Sequence, residues 1–333
     1  MRLLGRLKLW QKLAVLVAAL LIPTALASAF YIRTVGDAIE VTREELAGAR
    51  YVQPLGAVLA ELLNHLGSVH ALLSGDTARQ GAVARSASQI DSLIAAMDRV
   101  DAELNPQFAT SAQWQAFKED WAKLASQTGS LTLQENLDRH DRVIAEIFEL
   151  NMKVWMDSTL SLDPEATAYY LIIAATDKVP DVMNHIGSMR MLAASAALAG
   201  ALSPADAESI RMHRQQVALD FRIMRTELGS IAGGSAEVRR SVMPAFESAA
   251  TAFSAFDAAL QRQVPPNAKI TASGSEVYDS GAPLSEALQG LSSTAYGAVM
   301  KELEQRLAWQ TRGLRVNVAA LAAVLIFALV LGG

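Results

Sequence analysis

Apolar residues recur at spacings of three and four along most of the chain, the period of a helix with one buried face. Leu55, Leu59, Leu62, Leu66, Val69 and Leu73 form one stripe. Ser74–Thr77 interrupts it, and Ile90, Leu93, Ile94, Met97 and Val100 make the next. Asn105-Pro106 is expected to end that second helix, because proline pushes the residue before it away from helical backbone angles. Trp114, Phe117 and Trp121 share a face of a third, and Gly129–Thr132 leads into a fourth that runs to about Ser158. The second half keeps the same rhythm. Asp163, Pro164 and Glu165 predict the cap, first residue and acidic first turn of a fifth helix, which continues through Pro180 with a kink there. Ser203 opens a sixth with Asp206 three residues on, and Ile231–Ser235 separates a seventh bearing Val242, Phe246, Phe253 and Phe256. Val264–Ser275 is the longest irregular stretch, and an eighth helix starts near Pro283.

Two segments break the amphipathic pattern by being apolar all round. Leu13–Ile32 has no charged residue and is long enough to cross a bilayer core. Arg2, Arg6, Lys8 and Lys12 precede it with no acid among them, which predicts a cytoplasmic N-terminus at residues 1–12. A cleaved signal peptide is the alternative, since Ala25–Ala29 offers small residues for cleavage. Val316–Gly333 is apolar to its last residue, as in a receptor cut off after its second span, with no output domain. The expected plan is all-α: two four-helix-bundle modules, residues 33–160 and 161–315, between transmembrane helices at 13–32 and 316–333.

Composition narrows the chemistry. Half of the 333 residues are apolar but only 6% are aromatic, which favours packed helices over sheets. The chain has no cysteine, so disulfides, thiolate-bound zinc and a thiol nucleophile are excluded. Outside the first 12 residues, 25 bases face 34 acids, a net charge of −9 with no basic stripe for nucleic acid. No zinc-protease, phosphate-loop, nucleophile-elbow or EF-hand motif occurs, so no catalytic residue, metal or cofactor is expected.

One repeat stands out. Asn64–Ser68 reads Asn-His-Leu-Gly-Ser, and Asn184–Ser188 reads Asn-His-Ile-Gly-Ser, each near the end of the first helix in a group of four. Two readings compete. In the first, duplicated helices pack closely at Gly67 and Gly187, with the polar residues bonded along the seam. In the second, Asn64, His65, Ser68, Asn184, His185, Ser188 and Arg190 bind a small anion such as a carboxylate, with Arg190 supplying the charge. On that reading Arg190→Ala weakens binding but leaves folding nearly intact. Met183 reads as packing, and His140, within Asp-Arg-His-Asp-Arg, as solvated surface.

Lys8–Pro23, Arg43–Leu55 and above all Ser161–Ala194, with its Leu-Asp-Pro-Glu start and Tyr-Tyr-Leu, resemble the sensor regions of bacterial transmembrane receptors. These are chiefly methyl-accepting chemotaxis proteins, with related regions in sensor histidine kinases and diguanylate cyclases. The resemblance implies a homodimer in the bacterial inner membrane, its helical ectodomain in the periplasm, binding a small ligand and passing a helix displacement to a cytoplasmic output module. Relatives often carry His-Arg-Gly where this chain has His65-Leu66-Gly67, and Arg190 is the nearest equivalent in the second copy. A sensor of the kinase or cyclase type, or a ligand-free membrane interaction protein, is the alternative function; an enzyme is not expected.

Overall fold

A computed structural model describes residues 8–266 and 268–332; Arg2, Arg6 and Gly333 lie outside the described residues. The protein is all-α, and no strand occurs among the described residues. Among the described residues ten α-helices follow in order: α1 Leu9–Leu73, α2 Gln80–Phe108, α3 Ser111–Gln127, α4 Leu133–Asp157, α5 Ala166–Ile173, α6 Val179–Ala199, α7 Pro204–Ala232, α8 Met243–Gln263, α9 Gly274–Asp279 and α10 Ala282–Gly332.

Contacts divide the chain into two compact units, one of Met1–Leu46 with Leu303–Gly333 and the other of Ala47–Glu302. The expected boundary at 160/161 falls inside the second unit. In the first, α1 and α10 each contain an 18-residue stretch of mean hydropathy 1.5 with none of it buried, apolar enough to cross a membrane. Near the inner end of this unit Arg306 meets Glu45 at 3.1 Å, with side chains only 7% and 1% exposed. A buried pair of this kind costs desolvation, and removing one partner strands the other charge.

In the second unit the first helices are joined by polar bonds laid along their apolar faces. Trp121 donates to Asp91 at 2.9 Å and Trp114 to Asp98 at 2.7 Å, so each indole packs its ring inward and spends its N–H on α2. Asp101, nearly buried, accepts from Tyr51 at 2.7 Å and from Thr110 and Ser111 at 2.6 Å each, tying α1 to the α2–α3 corner. Helix α2 does not stop at Asn105-Pro106. It runs to Phe108, and Ala109 takes the left-handed conformation, while the Asn105 side chain accepts from the Ser111 N–H and fixes the corner.

His140 is fully buried, not solvated. It sits on the face of α4 that carries Asn136, Val143 and Ile147, its Nδ1 donating to the Asn136 carbonyl, and its ring lies 5.4 Å from that of His65. His65 in turn bonds Ser86 at 2.8 Å and meets Trp121 edge-on.

The fifth helix starts two residues late: Glu165 occupies the cap, while the Asp163 carboxylate accepts the Glu165 N–H from a preceding 3₁₀ turn. Instead of a simple kink before Pro180, a π turn at Ala174–Lys178 links α5 to α6. Such a turn absorbs the bond that proline cannot donate. A second π turn, Val238–Val242, precedes Pro244 at the start of α8 in the same way.

Candidate functional site

Helices α1, α6 and α10 enclose a cavity of about 190 Å³ in the second unit. Ala60, Leu63, Met183, Ile186 and Leu288 make its apolar wall; Asn64, Arg190, Ser285, Glu286 and Gln289 supply polar groups. Gly187 belongs to the wall, and a Cβ there would touch Leu63 no closer than 3.9 Å. The glycine of the second repeat thus keeps space open. An adjoining cavity of about 310 Å³ shares Met183 and Gln289 and is lined by amides and hydroxyls, among them Gln53, Gln89, Ser292 and Ser293. Met183 therefore lines both spaces besides packing.

Arg190 is the fixed charge of the site, and the short α9 helix holds it. Its Nε donates to the Tyr278 carbonyl and one terminal nitrogen to Ser285, both at 3.0 Å. The guanidinium lies 3.9 Å from the centroid of the Tyr278 ring, well within cation–π range. Gly281 allows this approach, since a Cβ there would lie 2.6 Å from Arg190 Cδ. Arg79 also stacks on Tyr278, at 5.0 Å, while bonding Asp279 at 2.9 Å and the Ser275 carbonyl at 3.1 Å. Tyr278 thereby carries two cationic neighbours, yet burial, the larger effect, pushes its phenol pKa up.

Tyr278 also explains the first repeat. Its hydroxyl donates to the Asn64 carbonyl at 3.3 Å and bonds the Ser68 side chain. A Cβ on Gly67 would collide with that same hydroxyl. The two glycines of the repeat do different work: Gly67 admits a tyrosine and Gly187 leaves a cavity.

The other repeat residues lie elsewhere. Buried His65 belongs to the cluster with Ser86, Trp121 and His140, where desolvation and the neighbouring His140 lower its pKa to about 3. His185 faces α7 and bonds His213. The Ser188 hydroxyl donates back to the Asn184 carbonyl at 3.1 Å, and neither residue lines the cavity. Of the seven residues singled out, Asn64 and Arg190 meet at the cavity and Ser68 stands behind them at Tyr278. Tyr278 and Ser285 carried no sequence signal, because their partner Arg190 lies 88 and 95 residues away.

The Arg190 guanidinium and the Asn64 and Gln289 amides could together donate to a carboxylate or nitrate, while the Ser285 hydroxyl, which donates to the Gly281 carbonyl, accepts from Arg190 and steadies it. Glu286 on the same wall, and Glu61 beside Asn64, restrict the net positive potential; burial pushes the Glu61 pKa up despite the hydrogen bond from Asn64. No protein-family model, curated protein or solved structure matches this chain.

Proposed function

We propose that the chain is the sensory region of a bacterial transmembrane signalling receptor, most closely of the chemoreceptor kind, and that it binds a small anion in the cavity beside Arg190. The ectodomain is taken to stand in the periplasm as two helical bundle modules, with the receptor a homodimer in the inner membrane. The observation that carries this reading is continuity. Helices α1 and α10, which wall the cavity through Asn64 and Ser285, each run unbroken into an apolar stretch long enough to cross a membrane. A ligand that prefers one packing of these helices shifts the equilibrium between arrangements by its difference in affinity, and a continuous helix carries the shift along its axis. The cavity volume of about 190 Å³ suits a ligand of a few heavy atoms, with the adjoining polar space available to a longer one.

The test is isothermal titration of the full chain in lipid nanodiscs against mono- and dicarboxylic acids, amino acids, aromatic acids and nitrate. Gly187→Leu serves as the blocked variant, because its side chain fills the cavity from a position with room for a Cβ. Saturable binding of one of these anions by the wild type and its loss in Gly187→Leu are expected. Equal binding by both proteins, or none by either, would refute the site.

A further inference from the structure

A second pair of polar side chains faces across a helix interface away from the cavity. His185 on α6 and His213 on α7 approach with Nδ1 to Nδ1 at 2.9 Å and ring centroids 5.0 Å apart. On the far side of His185, Asp181 Oδ2 lies 3.8 Å from Nε2. The His185 side chain is 21% exposed, so solvent reaches the pair. Neither histidine lines the cavity beside Arg190.

We infer that His185 and His213 form an interhelical site for a borderline divalent metal ion, zinc or copper(II), bound through both Nδ1 atoms with water completing its shell. Two features of the geometry point there. First, two nitrogens on one tetrahedral ion, each about 2.0–2.1 Å from it, stand roughly 3.3 Å apart. The observed pair needs to open by only a few tenths of an ångström. Second, Asp181 Oδ2, 3.8 Å from Nε2, is beyond hydrogen-bond length but stands on the side from which a carboxylate orients a metal-bound imidazole through its other nitrogen.

Coordination is balanced without an outside reagent. The ring that carries its proton on Nδ1 moves it to Nε2, both imidazoles stay neutral, and each gives one lone pair to the ion. Among the described residues no group of three or more His, Cys, Asp or Glu side chains converges, so two protein nitrogens and solvent make up the site. Two imidazoles favour copper(II) over nickel and zinc. The charges nearby are already engaged: Glu208 pairs with Arg211, and Asp257 lies 3.6 Å from Arg214. Bound metal would pin α6, the helix that carries Arg190 and Gly187, to α7.

Copper(II) titration of the full chain in nanodiscs, followed by electron paramagnetic resonance, tests the inference. The expected spectrum shows one copper with hyperfine structure from two nitrogens, displaced by zinc. His213→Gln and His185→Gln should each abolish the two-nitrogen signal, and Asp181→Asn should weaken affinity by about tenfold while leaving the ligand set intact. Zinc should raise the melting temperature of the wild type and not of His213→Gln. A two-nitrogen signal that survives in the double histidine variant places the metal elsewhere and overturns the site. So does failure to bind either ion at about 100 μM, which leaves a hydrogen-bonded histidine pair.

Discussion

Gly67 and Gly187 occupy equivalent places in a five-residue repeat, and substitution should separate them by sign. Gly67→Ala forces a methyl into the Tyr278 hydroxyl, so a destabilisation of about 1–3 kcal/mol is expected. Gly187→Ala meets nothing closer than 3.9 Å in mid-helix and should stabilise by up to about 1 kcal/mol. Denaturant melts of the two variants check this, and a shared sign would contradict the division of roles. Arg190 is tied into the fold more closely than its sequence position suggests. Its charge was legible, but not its buried bonds to the Tyr278 carbonyl and Ser285, so Arg190→Ala should loosen α9 as well as weaken binding. His65 and His140 make a third case. Desolvation lowers them to about 3 and about 4, so both are neutral in the folded protein. In the unfolded chain they bind protons below about pH 6.5. Stability from these two rings is therefore complete above that pH and declines as pH falls from about 6.5 toward their folded values. Ring-proton NMR should find both neutral at about pH 5; a signal titrating near 6.5 would contradict their burial.

At the scale of elements, apolar stripes at spacings of three and four were enough to locate most helices, because burial of one face is what makes them helical. The errors are local and physical. His140 was misread from its charged neighbours, although Asn136, Val143 and Ile147 lie on the same helical face and signal the core. The α9 helix was hidden in a stretch without periodicity. It is only Gly274–Asp279, held by a capping box from Ser273 and Glu276 and by long-range contacts of Tyr278. The π turns before Pro180 and Pro244 left no pattern beyond the prolines themselves. Asp101 offers the sharpest test of how the first helices are joined. It satisfies the hydroxyls of Tyr51, Thr110 and Ser111, so Asp101→Ala strands buried donors and should cost about 3 kcal/mol or more. Thermal melts of Asp101→Ala and Asp101→Asn measure it, with the amide expected to recover part of the loss. A change below about 0.5 kcal/mol in the alanine variant would mean that these bonds do not hold the corner.

For the whole molecule, the proposed receptor function requires that occupancy of the cavity between α1, α6 and α10 move the apolar ends of the two long helices. The cysteine-free sequence makes such a movement measurable, since the two introduced thiols are the only ones present. Tyr31 and Gly313 belong to the same unit, and the Tyr31 hydroxyl would lie 3.5 Å from a Cβ at Gly313. Nitroxide labels on Tyr31→Cys and Gly313→Cys therefore report on α1 against α10. The decisive measurement is the distance distribution between these labels in nanodiscs, with and without the anion that titration identifies, in the wild-type background and with Gly187→Leu. A ligand-dependent change in the first background and none in the second is the predicted result. An unchanged distribution at saturating anion would contradict transmission along the helices, and the same change in Gly187→Leu would contradict the cavity as its source.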